Sequence, residues 1–219
     1  MYQKKNLVIV GAGAFGREVL WLAQEAREPW NVLGFLDENE QVHGSSVCDL
    51  PVLGPLRMWP QLDAHLVIAI GAPRAKRAAC EALKEFGTPT FATLVHSSVQ
   101  MSRFVSVGAG SLVCAGSVLT TQIEIREHVI INLSCTVGHD TVIEDYVTLA
   151  PMIAASSRVR ICTGAELGMS ATLLPGVTIG EGAMAGMGAV VTRDIPPNKL
   201  YVGAPAKERR DLPPFAGGT

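Results

Sequence analysis

Residues 125–148 read IREHVI, INLSCT, VGHDTV and IEDYVT, four six-residue units that each open on an aliphatic residue: Ile125, Ile131, Val137 and Ile143. Stepping outward by six reaches Val95 in one direction and Val191 in the other. All 17 positions in that series are aliphatic or Met. With 48% of the chain apolar, such a run arises by chance roughly once in 10⁵. The fifth place of each unit is restricted too, to small or β-branched residues such as Ser111, Ser117, Cys135, Thr141 and Ala165. A helical period of 3.6 or a strand period of 2 produces neither pattern; a solenoid with one short strand and one turn per six residues produces both. Three units then close one triangular coil, with the first place pointing inward and only small side chains fitting the corners. Residues 95–196 supply about 5.7 coils of 18, a prism roughly 27 Å long at a strand spacing of ~4.8 Å.

Residues 1–94 follow another grammar. Leu7–Val10, Val32–Leu36, His65–Ile70 and Phe91–Val95 read as strands. Helices are expected through Val19, Leu20, Leu22 and Ala23, and from about Arg74 to Phe86. Alternating strands and helices predict a small parallel α/β sheet. The chain therefore divides into an α/β domain over 1–94, the solenoid over 95–196, and a proline-bearing tail over 197–219 without periodicity, expected to pack across the last coil.

Composition narrows the function classes. Lys and Arg number 18 against 20 Asp and Glu, a net charge of −2, so nucleic acid and anionic membrane find no electrostatic footprint. No apolar run reaches the ~18–20 residues of a membrane span. The apolar stretch LVIV near the start is too short for a signal peptide and lacks a cleavage site; a cytoplasmic protein is expected. Five cysteines (Cys48, Cys80, Cys114, Cys135, Cys162) form no CxxC pair and read as buried free thiols rather than a zinc or disulfide framework.

GAGAFG at 11–16 follows a strand, opens a helix and fits G-x-G-x-x-G, with Asp37 at the end of the next strand. Gly11 permits a tight turn and Gly13 lets backbone approach a phosphate at a helix N-terminus. A nucleotide site in which Asp37 bonds a ribose or base is one reading; a glycine turn that only packs a helix on a sheet is the other. A dinucleotide such as NAD needs a second binding half that a domain of ~90 residues does not offer. His139 and Asp140 occupy the third and fourth places of their unit, facing outward at a coil corner, with Thr121 and Ser157 stacked on either side at ±18 residues. An outward histidine beside a carboxylate is a general-base pair, the acid fixing the tautomer and raising basicity; an exposed surface histidine is the alternative. His128 and His139 occupy unlike places, so no metal site is expected. In the tail, Lys207 with Arg209 and Arg210 either meets phosphates or is a solvated cap.

Together these motifs resemble the NeuD/PglD family of sugar acyltransferases. The resemblance rests on VIVGAGAFG at the start, FLD at Asp37, IAIG at Gly71, LVH at His96, Asn132, HD at His139, LLPGVTIG, and VGAPAK, and runs over nearly the whole chain. It implies a Rossmann-like α/β domain followed by a left-handed parallel β-helix of hexapeptide repeats. It also implies transfer of an acetyl group from acetyl-CoA, without metal, to the amine or hydroxyl of a nucleotide-linked sugar. His139 would be the base and Asp140 its orienting acid, with the Ser157 backbone N–H as oxyanion donor. Gly11, Gly13, Ala14, Phe15, Asp37, Gly71 and Asn132 would bind the substrate. Thr148, Met169, Gly186, Met187 and Lys207 would bind acetyl-CoA, and a homotrimer would hold the coenzyme between neighbouring helices. The chain departs from the family pattern at Phe15 and Thr148, where histidines are common, and at Ser157, where glycine is frequent. Two other classes stay open at this level: a non-catalytic nucleotide-sugar-binding or scaffold protein of the same fold, and a sialic-acid-type sugar O-acetyltransferase.

Overall fold

The computed structural model describes residues 4–215; the outermost residues of the first and last expected segments (1–3 and 216–219) lie outside that range. A five-stranded sheet comes first, in spatial order β3-β4-β2-β1-β5: β1 is Lys5–Val10, β2 Trp30–Leu36, β3 Ser46–Val47, β4 Leu50–Gly54 and β5 His65–Ile68. β1, β2, β4 and β5 are parallel, and β3 is antiparallel to β4. Helix α1 (Ala14–Gln24) follows β1 and α2 (Pro73–Lys84) follows β5. Strand alternation sorts the core: Leu7 and Ile9 pack with α1 on one side of the sheet, Val8 and Val10 with α2 on the other. Because β2 and β5 flank β1 on opposite sides, the chain reverses direction across the sheet at the carboxyl end of β1, where open α/β sheets bind ligands.

The solenoid is a left-handed parallel β-helix with three faces. The first face stacks strands from Gln100–Met101 through Thr136–Val137 to Val190–Val191, the second from Val105–Val107 through Val142–Ile143 to Thr178–Ile179, and the third from Leu94–Val95 through Thr148–Leu149 to Met184–Ala185. Every pairing is between residues 18 apart, as Thr136 with Ala154 and Val142 with Arg160. First-place side chains from Val113 to Val191 are all buried. Fifth-place hydroxyls do more than fit. Ser111, Ser117 and Thr141 are fully buried, and each donates to a carbonyl and accepts an N–H from neighbouring units (Ser117 Oγ to Asn132 O at 3.0 Å, Cys135 N to Ser117 Oγ at 3.2 Å), so the corners cross-link successive coils.

From Gly110 to Gly188 the backbone at the fourth place of each unit is left-handed. φ lies between 54° and 77° at Gly110, Gly116, Gln122, His128, Ser134, Asp140, Tyr146, Met152, Arg158, Gly164, Ser170, Gly176, Gly182 and Gly188. Each such residue turns the chain sharply from one face to the next.

Several sequence expectations need correcting. Phe91–Val95 is not a fourth strand of the α/β sheet: Phe91 makes one isolated bridge to Leu66, and Leu94–Val95 already pairs in the solenoid. The segment between β2 and β5, to which the sequence reading assigns no strand, holds β3, β4 and a 3-10 turn over Leu56–Gln61, because Gly54 and the Leu50–Leu53 run continue the sheet edge. The tail is ordered as well. Lys199–Val202 extends the third face and pairs antiparallel with Lys207–Asp211, and Phe215 returns to α2, where Arg74 and Arg77 lie over its ring. Cys48 is exposed in the β3–β4 turn and Cys162 half-buried; Cys80, Cys114 and Cys135 are the buried thiols.

Candidate active site

Two separate places carry the chemistry read from the sequence. One is a cavity of about 560 Å³ at the carboxyl ends of β1, β2 and β5, lined by Gly11, Gly13, Ala14, Phe15 and Asp37, together with Ile70 and the α2 alanines Ala78, Ala79 and Ala82. Gly11 (φ 106°) makes the turn out of β1, and Gly13 is the N-cap of α1 with extended backbone and no side-chain cap. The first amides of α1 therefore face the cavity mouth without a side-chain acceptor, which suits an anion. Gly16 packs against the turn so closely that a Cβ there would sit 2.1 Å from the Gly11 carbonyl oxygen. Asp37 does not wait free for a ligand. Its Oδ2 accepts from Ala12 N at 2.8 Å and its Oδ1 from Asn39 N at 2.9 Å, so it shapes the glycine turn as well as lining the cavity. Glu38, passed over in the sequence, is also at the wall and accepts from Leu56 N at 2.7 Å. Gly71 lies just past Ile70. Asn132 is not at the cavity: it sits on a solenoid corner and its Oδ1 accepts from Leu133 N at 2.8 Å.

The other place is the edge between the first and second solenoid faces. His139 and Asp140 project there, 49% and 55% exposed, with His139 Nδ1 2.6 Å from Asp140 Oδ2. The left-handed φ of 58° at Asp140 turns its carboxylate back toward the preceding side chain; aspartate tolerates that conformation better than most residues. With Nδ1–H donating to the carboxylate, Nε2 is left as an unprotonated acceptor facing outward. The neighbouring coil is tied in by Arg158 N donating to His139 O at 2.8 Å, and Asp140 N donates to Thr121 O at 3.2 Å. A Cβ on Gly138 would lie 2.7 Å from Ser157 N. The missing side chain brings the two coils close and leaves the Ser157 amide uncovered beside His139.

Residues expected at acetyl-CoA lie on other parts of the prism. Met169 and Met187 (44% and 79% exposed) line the edge between the third and first faces with Met152, and Gly186 sits beside them against Val202. Lys207 opens the second strand of the tail hairpin. Thr148 is 8% exposed, on the third face, opposite the His139 edge. Its hydroxyl is engaged on both sides, donating to Gly71 O at 2.7 Å and accepting from Lys76 Nζ at 3.0 Å.

The joint between the two domains holds what the sequence did not disclose. Lys76 is 1% exposed, and burial lowers its ammonium to about 7 despite the nearby Glu166 carboxylate. His128 is buried with Tyr146 stacked on it at 5.2 Å, Phe91 edge-on, and Cys80 Sγ 3.4 Å from Nε2. Burial, aided by the Lys76 charge, pushes His128 down from 6.5 to about 4. The unfolded chain thus takes up a proton near pH 6.5 that the native joint resists, and stability falls as pH drops from about 6.5 toward about 4, by roughly 3 kcal/mol. His128→Phe should flatten that slope in chemical denaturation at pH 7.5 and 4.5; a variant as acid-sensitive as the parent would place the effect elsewhere. No group of three or more potential metal ligands converges among the described residues, and no helix there is long and apolar enough to cross a membrane.

Comparison with known proteins agrees with this architecture. Residues 6–83 match the PglD N-terminal domain. Perosamine N-acetyltransferase from Caulobacter crescentus, solved with CoA and GDP-perosamine as a histidine-to-asparagine mutant, superposes with a TM-score of 0.86 at 29% identity over 96% of this chain and 99% of that one. The acetyltransferase domain of PglB from Neisseria gonorrhoeae, in complex with acetyl coenzyme A, gives 0.84 at 27% identity over 94% and 100%. WeeI from Acinetobacter baumannii gives 0.81 at 28% over 93% and 99%. Among curated proteins the bifunctional protein GlmU of Rubrobacter xylanophilus is 52% identical over 60 residues, 27% of this chain and 13% of that protein; an acetyltransferase-named protein of Schizosaccharomyces pombe is 63% identical over 46 residues, 21% and 22%. The chain thus spans about a fifth or less of the length of these two curated relatives. Fold, repeat and glycine turn converge on one conclusion: the chain carries a PglD-type N-terminal domain over residues 6–83 and is similar over nearly its whole length to NeuD/PglD-like hexapeptide-repeat sugar acetyltransferases.

Proposed function

We propose that the protein transfers an acetyl group from acetyl-CoA to the amine of a nucleotide-linked amino sugar, directly and with His139 as general base. The observation that carries this is the 2.6 Å His139–Asp140 contact at an exposed corner with the Ser157 amide one coil away. In the reaction the sugar amine attacks the thioester carbonyl, Nε2 of His139 takes the amine's proton, and the Ser157 N–H meets the developing oxyanion. Collapse of that intermediate expels the CoA thiolate, which regains a proton. CoA and GDP-perosamine bound in the Caulobacter enzyme support the choice of donor and acceptor class. An intact base pair favours catalysis over a non-catalytic scaffold.

The cavity beside α1 takes the nucleotide sugar. Its α2 wall packs on the third face and on the second–third edge through Lys76, Cys80, His128 and Tyr146, away from His139. A single chain therefore holds the two halves of the site apart. The first face is open and carries no outward charge: Gln100, Val118, Thr136, Ala154, Thr172 and Val190 face out, flanked by the methionine edge on one side and the His139 edge on the other. A homotrimer formed through that region brings His139 of one protomer to the cavity of the next, with Met169, Gly186, Met187 and Lys207 at the coenzyme. Acetyl-CoA turnover with UDP-, GDP- and dTDP-linked amino sugars tests the reading; no turnover with any of them, while each binds, would return the chain to the scaffold class.

A further inference from the structure

Helix α2 has two working sides. Ala78, Ala79 and Ala82 face the cavity, while Lys76 and Cys80 face the solenoid. Lys76 Nζ donates to Thr148 Oγ1 at 3.0 Å and to Val147 O at 3.2 Å. Thr148 Oγ1 has one proton to give, and it goes to the Gly71 carbonyl at 2.7 Å. This relay ends in the short segment between β5 and α2 whose Ala69 and Ile70 form part of the cavity wall. Ala69 is packed in turn on the glycine turn, since a Cβ on Gly11 would stand 3.0 Å from Ala69 O. The whole wall is thus a closed mechanical circuit from α2 through the solenoid to the turn that opens α1.

A buried ammonium is an expensive way to fill space; an apolar side chain of the same length would do so at less cost. What Lys76 supplies and methionine would not is a donor that forces the Thr148 proton toward Gly71. We propose that Lys76 and Thr148 are positioning residues for the sugar-nucleotide cavity, holding the Gly71 peptide, and through it Ala69 and Ile70, in the shape that receives the ligand. This rests on the reading of that cavity given above. Neither residue touches the substrate.

Steady-state kinetics of Thr148→Val, Thr148→Ser and Lys76→Met separate this role from simple bracing. Thr148→Val keeps the volume and loses the relay, so KM for the nucleotide sugar should rise about tenfold with KM for acetyl-CoA within twofold of wild type. Thr148→Ser restores the hydroxyl and should restore KM. A brace alone would lower the melting temperature of Thr148→Val and Lys76→Met while leaving sugar-nucleotide KM unchanged, and that result overturns the inference. Should Lys76→Met not fold, Thr148→Val against Thr148→Ser decides. A wild-type protein that acetylates no nucleotide sugar removes the reading of the cavity and this inference with it; an active wild type with unaltered KM in the variants removes this inference alone.

Discussion

His139→Ala should lower kcat by about 10²–10⁴, the usual contribution of a positioned general base, with little change in coenzyme A affinity. The ring is half exposed and supports no core contact, so its loss leaves the fold intact; its carbonyl, which accepts from Arg158, survives the substitution. What disappears is the outward Nε2 whose lone pair the Asp140 carboxylate keeps free. Asp140→Asn should cost less. The ring remains, but an amide no longer favours the tautomer with Nδ1 protonated. Calorimetry for coenzyme A and pre-steady-state turnover read the two effects separately. A His139→Ala enzyme keeping more than about a tenth of wild-type kcat, far above the loss expected for a general base, would reassign the base.

The second large effect is recovery of activity from two inactive proteins. Gly13→Glu is the partner variant of choice. Gly13 has ordinary extended backbone, and a Cβ there meets no atom within 4 Å, so a side chain is accommodated. Its carboxylate would sit favourably at the positive end of the α1 dipole while repelling a diphosphate from the same amides. Alone, Gly13→Glu and His139→Ala should each be nearly inactive. Unfolded together and refolded, they assort into mixed rings in which about one site in four pairs an intact cavity with an intact His139 from the neighbour, so roughly a quarter of wild-type activity should return. Recovery requires the two halves to come from different protomers; no recovery, or sedimentation as a monomer at micromolar protein, would place the complete site within one chain.

The solenoid was legible because its period is long and strict: each first-place aliphatic is an independent vote, and one shifted residue would expose a whole row. His139 and Asp140 were legible for the same reason, since the register assigns their direction before any contact is known. Asn132 shows the limit. A motif match implies that it meets the substrate, but no spacing foretells that it stands on a solenoid corner, outside the cavity lining, with its Oδ1 accepting from Leu133 N. Thr148 shows another: its outward register said nothing about a helix lying over it. Lys76, within RAKRAAC, reads as one more solvated cation on an amphipathic helix. Only the docking of α2 on the third face makes it a buried donor, and that docking depends on pairs 71–72 residues apart. The β3–β4 hairpin and the tail hairpin escaped for want of alternation, being held by their neighbours more than by their own pattern.

The left-handed corners are not evenly populated. From Gln122 to Arg158, seven in succession carry a side chain, whereas Gly110 and Gly116 precede them and Gly164, Gly176, Gly182 and Gly188 occupy four of the five that follow. Left-handed backbone costs a side-chain-bearing residue about 1–2 kcal/mol that glycine avoids. Torsional tension is thus concentrated in the middle two coils, the stretch that presents His139 and Asp140 and meets α2 through His128 and Tyr146. The glycine-cornered coils on either side act as relaxed clamps on a tensed centre. Shortening the prism from its C-terminal end would therefore remove the part that restrains this tension before it removed any residue of the His139 corner, so loss of activity should precede loss of that corner itself.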